Sequence, residues 1–156
     1  MRILAADGIS SEGIGLLADY EVDVRDKISH EELLEVIGSY DALMVRSASK
    51  VSADIIERAD RLKIIGRAGV GVDNIDVKAA TERGIIVINS PGGNTIAATE
   101  HTMAMMLSLA RNIPAADATM HAGAWDRKAY VGVELRGKTI GIIGMGRIGS
   151  GVATVS

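Results

Sequence analysis

The sequence predicts an α/β fold in which helices cover a parallel sheet. The chain has 156 residues, about the length of one domain. It contains 18 glycines, one tryptophan and no phenylalanine. We therefore expect a core of aliphatic side chains that backbone segments approach closely. Its short apolar runs lack the polar alternation of a half-exposed sheet, and helix-like segments separate them. Strands that alternate with helices in this way are typical of a doubly wound sheet.

Five predicted strands precede a turn-rich segment at 90–94, which is the predicted domain boundary. Right-handed crossovers between these strands favour a flavodoxin-like strand order. We therefore predict a flavodoxin-like domain over 1–92 and a different, mainly helical region over 93–156. The five predicted strands are 2–6, 21–24, 42–45, 62–66 and 85–88.

Cap residues predict where the helices of the first domain begin and end. Ser29 and Glu32 have the spacing of a capping box, and Gly38 stands where that helix would end. Either Asp73 or Asn74 is placed to cap the helix before the last predicted strand.

The region after the boundary is predicted to be a helical arm followed by the start of a second α/β domain. A helix over 95–110 carries Met103, Met105 and Met106 with few charges, so it should be buried on most sides. Core filling is favoured over a ligand pocket as the explanation for the methionines, and a subunit interface would bury them too. The remaining predicted elements are a helix from Pro114 to 120, a loop at 122–132 and a sixth strand at 138–143.

Composition excludes several classes of function. The chain has 17 Lys and Arg against 20 Asp and Glu, a net charge of −3, which argues against a nucleic-acid partner. The absence of cysteine excludes disulfides and zinc-thiolate sites. No signal segment or long apolar stretch is present, so we expect a cytoplasmic protein without a membrane partner. Three histidines, His30, His101 and His121, lack metal-ligand spacing and are interpreted as structural, so no metal site is predicted.

A glycine fingerprint follows the sixth predicted strand. Gly144, Gly146 and Gly149 have the G-x-G-x-x-G spacing of a turn that holds the pyrophosphate of a dinucleotide at a helix N-terminus. The second strand and the ribose-binding acid of such a unit are expected about 20 residues later, beyond the end of this sequence. The pattern therefore predicts the first strand and turn of a truncated Rossmann domain.

A second glycine cluster follows the fourth predicted strand, at the sheet edge where open α/β folds bind ligands. The amides around Gly69 and Gly71 could hold a carboxylate or phosphate, or the segment could be a tight turn with Asn74 as a helix cap. Arg46 and Ser47 end the third strand at the same edge. A guanidinium and a hydroxyl could join the same anion site, although an exposed structural arginine is an equal alternative.

The chain resembles the D-2-hydroxyacid dehydrogenase family along almost its whole length, in several blocks that occur in order. The resemblance implies a flavodoxin-like substrate domain followed by the start of a Rossmann NAD domain. It also implies NAD-dependent oxidation of a phosphorylated 2-hydroxy acid in serine biosynthesis, a small anionic substrate and a homodimer formed through 94–135. The blocks that carry the resemblance are 45–47, 66–74, 89–94, 98–101, 109–114, 137–141 and 144–149.

The resemblance also implies roles for individual residues. The family's catalytic arginine and its Glu-His pair correspond to positions beyond Ser156. We therefore expect an N-terminal portion with no catalytic residues of its own, inactive alone and with weak or absent NAD binding. The alternative is a stand-alone small-anion-binding or dimerisation module. The implied substrate-binding residues are Arg46, Ser47, Gly69, Val70, Gly71 and Asn74. The implied NAD-binding residues are Val70, Gly144, Gly146, Arg147, Ile148 and Gly149.

Overall fold

The computed structural model describes all 156 residues, which form two compact units, Met1–Gly93 and Asn94–Ser156. The first unit is an α/β domain built on one sheet, and the second is helical. No helix in either unit combines the length and the hydrophobicity needed to span a membrane. Whether the units serve as a substrate domain and the start of an NAD domain stays a prediction.

The five predicted strands form a single parallel sheet in the first unit. Their order across the sheet is β2-β1-β3-β4-β5, with every neighbouring pair parallel. This order confirms the predicted flavodoxin-like topology. The strands are β1 (Arg2–Ala6), β2 (Glu21–Arg25), β3 (Ala42–Val45), β4 (Ile64–Arg67) and β5 (Ile86–Asn89).

Short helices connect the strands. The predicted capping box is confirmed: the Ser29 hydroxyl accepts from the Glu32 N–H at 3.1 Å, and the Glu32 carboxylate accepts from the Ser29 N–H at 2.9 Å. The helices are α1 (Ser11–Gly15), α2 (His30–Val36), a 3₁₀ turn (Ile37–Ser39), α3 (Ala53–Glu57) and α4 (Val77–Glu82).

One predicted helix end is confirmed and one predicted cap is wrong. Gly38 directly follows Ile37, the C-cap of α2, as predicted; it lies within the 3₁₀ turn, where a Cβ would stand 3.1 Å from the Arg58 carbonyl oxygen. Close backbone approach therefore accounts for this glycine. The cap of α4 is Asp76, whose carboxylate accepts from the Ala79 N–H at 2.9 Å. Asn74 lies two residues before that cap, and its side-chain nitrogen donates instead to the loop after β3.

The core of the first unit lies between the sheet and its helices and is almost wholly aliphatic. Each such side chain contributes on the order of 1.5–3 kcal/mol when fully buried. Tyr40 is the aromatic exception, and its hydroxyl donates a short hydrogen bond to Asp23. Burial, and then that bond, raise the pKa of the Tyr40 phenol. Fully buried aliphatic members of the core include Leu4, Leu33, Leu43, Val45, Ile55, Ile56 and Ile65.

The second unit consists of three helices and their connecting segments: α5 (Thr95–Ala110), α6 (Ile113–His121) and α7 (Arg147–Val155). Helix α5 has the predicted bounds. It packs tightly against α7, because a Cβ on Gly151 would overlap the hydroxyl of buried Thr99.

The predicted sixth strand is wrong. Residues 138–143 form no strand, and the Ile143 side chain is fully exposed. The physical reason is that a strand exists through ladder hydrogen bonds to a neighbour, and no other strand in the chain pairs with this segment. Residues 138–143 therefore have a sequence typical of a strand but do not form one.

The predicted burial of α5 in a core of its own chain is also wrong. Thr99 is the only buried residue of the helix, and Met105 and Leu109 are more than half exposed. The methionines therefore do not form a core in this chain. An α5 surface that is apolar on nearly every side needs more cover than α6 and α7 provide.

Candidate functional site

The candidate site of the first unit lies where the strands of the sheet end. Asp7 follows β1 and Arg46 follows β3, while Arg67 and Asn89 are the last residues of β4 and β5. Because parallel strands end at the same edge, these residues form a row across four neighbouring strands. The structure brings the predicted residues Arg46 and Ser47 to this row, beside the glycine turn that follows β4.

The backbone of Arg46 is held from three directions. Its N–H donates to the Asp7 carboxylate at 3.0 Å. Its carbonyl accepts from Arg67 Nε at 3.2 Å and from Asn74 Nδ2 at 2.9 Å. Arg46 itself is exposed, so its guanidinium is available to a bidentate carboxylate or phosphate while its backbone is fixed.

The loop after Arg46 is fixed by a second set of bonds. Buried Ser49 donates from its N–H and its hydroxyl to Asp7, at 2.9 and 2.6 Å. The Asn74 side chain also donates to the Ser49 carbonyl at 2.7 Å. A parallel bridge between Val51 and Ile75 continues the connection. Ser47 is exposed within this anchored loop, which leaves its hydroxyl available to a ligand.

The glycine turn directs its carbonyl groups into the protein. The carbonyl of Gly69 accepts from the Ser90 N–H at 2.9 Å, and that of Val70 accepts from Asn89 Nδ2 at 2.6 Å. The carbonyl of Gly71 accepts from Arg67 Nη1 at 2.7 Å. The N–H groups of Val70 and Gly71 make no hydrogen bond within the protein. Two backbone donors are therefore free to bind an anion.

The glycines of this turn make room for two neighbouring side chains, Asp73 and Arg67, the latter only 11% exposed. A Cβ on Gly69 would stand 2.9 Å from Arg67 Nη1, and one on Gly71 would stand 2.5 Å from the Asp73 carboxylate. Sequence reasoning missed Arg67 and Asp7 as parts of the site. The only signal for either is a charged residue at the end of an apolar strand.

The second glycine turn lies in the second unit, before α7. Gly144 has a φ of 97°, which favours glycine, and a Cβ on Gly149 would overlap the Gly144 carbonyl oxygen. Gly146 is the N-cap of α7, and a Cβ there would meet nothing within 4 Å. Arg147 and Ile148 open the helix. The turn has the tight geometry and the open approach that a pyrophosphate requires.

The histidines lie apart from these groups. His30 contacts Asp54 at 2.8 Å, and the Ser52 hydroxyl donates to the other oxygen of that carboxylate at 2.5 Å. The Ser52 bond, followed by the His30 bond, lowers the pKa of Asp54 to about 2. His121 pairs with Asp117 on α6, and no histidine bonds a candidate site residue.

No group of His, Cys, Asp and Glu is close enough to hold a metal ion. The arrangement can bind and orient an anion, but it contains no acid–base pair.

Comparison with known proteins identifies one family. Residues 3–154 match the family model described as D-isomer specific 2-hydroxyacid dehydrogenase, catalytic domain. A D-3-phosphoglycerate dehydrogenase from Archaeoglobus fulgidus is 54% identical over 155 residues, which are 98% of this chain and 29% of that protein. The chain thus spans less than a third of the length of this relative.

Solved structures agree with this match. The TT0316 protein from Thermus thermophilus aligns with a TM-score of 0.90 and 33% identity, over 99% of this chain and 52% of that one. An NAD-dependent formate dehydrogenase from Staphylococcus aureus in complex with NAD aligns with a TM-score of 0.82 and 30% identity, over 99% of this chain and 53% of that one. The chain therefore belongs to the D-isomer specific 2-hydroxyacid dehydrogenase family.

Proposed function

We propose that this chain holds the anionic substrate in the NAD-dependent oxidation of D-3-phosphoglycerate. The observation that carries the proposal is the fixed backbone of Arg46 beside the two free amides of the glycine turn, at the ligand-binding edge of the sheet. The names of the relatives, which are D-3-phosphoglycerate dehydrogenases at about half identity, support this choice of substrate.

The geometry suits a ligand with two anionic groups. The Arg46 guanidinium can bind one carboxylate or phosphate through two parallel hydrogen bonds, which a lysine cannot reproduce. The amides of Val70 and Gly71 can bind the other group, and the Ser47 hydroxyl can donate to either. Because their backbone is already anchored, these groups lose little freedom when a ligand binds.

NAD is the cofactor we propose, because the second unit fits its pyrophosphate. The amides at Gly146, Arg147 and Ile148 begin α7, where the helix dipole favours an anion, and the Arg147 side chain is exposed beside them. When bound, NAD supplies the hydride acceptor. This chain's own contribution is to bind and orient, since no histidine or carboxylate pair lies at the substrate groups.

The exposed α5 helix favours a second proposal, self-association into a homodimer. Its apolar side chains would leave water if a second copy covered them.

The substrate proposal is tested by replacing Arg46 with Lys in the full chain and titrating the ¹⁵N-labelled protein with D-3-phosphoglycerate. Loss of the planar fork should weaken binding about tenfold, equivalent to about 1.4 kcal/mol. Arg58→Lys is the matched control, since Arg58 is exposed and its side chain makes no hydrogen bond or ion pair. Equal affinities for the wild-type chain and Arg46→Lys would reject the proposed role of Arg46.

A further inference from the structure

The structure assigns Asp7 as the positioning residue of the candidate substrate loop, an inference that rests on the proposed function of Arg46 and Ser47. One carboxylate oxygen of Asp7 accepts from the N–H groups of Arg46 and Ser49, at 3.0 and 2.9 Å. The other accepts from the Ser49 hydroxyl at 2.6 Å. The two residues that Asp7 binds flank Ser47, so a single side chain sets the start and the end of the ligand-facing segment.

The backbone of Asp7 supports a dedicated role. Asp7 has a φ of 64° and is followed by Gly8 at 66°, so the chain leaves β1 through two left-handed residues. A side chain disfavours this conformation, although aspartate tolerates it better than most residues. Glycine would fit the backbone without strain. What aspartate adds at this position is therefore the carboxylate, which reaches the loop after the neighbouring strand β3.

The chemistry of the contact explains why an acceptor is needed. All three groups that face the carboxylate are donors, and an ionised carboxylate only accepts. Arg67 and Asn74 hold the opposite side of the same segment by donating to the Arg46 carbonyl. Asp7 is thus the only contact that restrains the N–H side of Arg46. Without it, the guanidinium would sample directions that do not meet a bound anion, and affinity would fall through lost preorganisation.

Two substitutions separate positioning from folding. Asp7→Gly removes the carboxylate and relieves the left-handed backbone, so the fold should be retained. Asp7→Asn keeps one oxygen for the two N–H groups, and its amide nitrogen can donate to the Ser49 hydroxyl, so it should restore the loop. Asp19→Gly is the matched control, because Asp19 is exposed and its side chain makes no hydrogen bond or ion pair.

The experiment measures three properties of the full-length chain: affinity for D-3-phosphoglycerate by NMR titration, hydrogen exchange of the Arg46 and Ser49 amides, and the thermal midpoint. For Asp7→Gly we expect exposed amides, about tenfold weaker binding and a modestly lowered midpoint, because the buried Ser49 groups lose their acceptor. Asp7→Asn should bind within about threefold of wild type, and Asp19→Gly should match wild type. A residue that only supported the fold would lower the midpoint and leave the affinity of the folded protein, measured well below the midpoint, as it is in wild type, which would overturn the inference.

The other outcomes are also decisive. If Asp7→Gly exposes the two amides and still binds as wild type does, the positioning role is wrong while the proposed function stands. If the wild-type chain binds no D-3-phosphoglycerate, the proposed function is wrong and the inference with it. If Asp7→Gly does not fold, Ser49→Ala removes only the hydroxyl contact and should weaken binding about threefold. Unchanged affinity in that variant would then overturn the inference.

Discussion

Arg67 shows how single side chains build the candidate site. Its guanidinium lies beneath the glycine turn and donates both to Gly71, in its own turn, and to Arg46, after the neighbouring strand. The two loops expected to hold substrate are therefore joined by one largely buried cation. Arg46 and Arg67 have the same chemistry but different roles, since the exposed Arg46 is free for a ligand and the largely buried Arg67 holds the two loops together.

Asp54 gives a pH-dependent prediction at the scale of one residue. Its pKa is lowered from 3.8 to about 2 in the folded chain by the Ser52 hydroxyl and then by His30. A carboxylate with a depressed folded pKa stabilises the fold above its unfolded pKa, and that stability is lost as the pH falls through the folded value. Asp54→Asn should therefore lose less stability than wild type between about pH 4 and pH 2.

Urea unfolding at several pH values measures this effect. Asp19→Asn removes a carboxylate that has no partner, so its profile should follow wild type. Parallel profiles for Asp54→Asn and wild type would show that the Ser52 and His30 contacts do not hold in solution.

The exposed half of the site could be predicted from the sequence, and the supporting half could not. Arg46, Ser47 and the glycine turn follow predicted strands, so parallel topology is enough to bring them to one edge. The role of Asp7 depends on which strand lies beside β1 and on a left-handed backbone, and neither is visible in a run of apolar residues. Asn74 shows the same limit, because its position fits a helix cap equally well until the neighbouring loop is known.

The capping box gives the clearest prediction at the scale of an element. Ser29 and Glu32 satisfy two of the backbone donors that the start of α2 leaves free. Ser29→Ala should lower the free energy of unfolding by about 1 kcal/mol. Chemical denaturation checks this value, with Ser11→Ala as the control because the Ser11 hydroxyl makes no hydrogen bond. Equal losses in the two variants would contradict the capping role.

Helices whose caps and boundaries lie in their own sequence could be predicted. A strand that depends on a neighbouring strand could not. Helix α2 has its cap in its own sequence, and α5 has its predicted bounds. The segment 138–143 has the apolar, β-branched sequence of a strand but no neighbouring strand to bond with. The sequence of α1 gives little indication of a helix, because the helix is short and contains two glycines.

At the scale of the whole molecule, the exposed apolar surface of α5 predicts self-association. Leu109 on this helix is 82% exposed, so a glutamate in its place would remain in contact with water in a monomer. In a dimer that covers α5, the same change would place an unpaired charge in an apolar contact, at a cost of several kcal/mol. We therefore expect Leu109→Glu to shift the assembly towards monomer.

Sedimentation velocity over a range of concentrations measures that shift. Leu16→Glu is the matched control, since Leu16 is a leucine with 87% exposure in the first unit. A wild-type chain that stays monomeric at high concentration would contradict self-association through α5. Burial of α5 could not be settled from its sequence, because an all-apolar helix fits a core and an interface equally well.

The central claim is that the carboxyl edge of the sheet binds the anionic substrate, and chemical-shift mapping with D-3-phosphoglycerate tests it most directly. On the full chain, the amides of Ser47, Val70 and Gly71 should show the largest shift changes, because they are the free donors beside the anchored Arg46. The loop around Trp125 and Arg127 in the second unit should be unaffected. Shift changes confined to that loop, or absent throughout the chain at saturating ligand, would contradict the account.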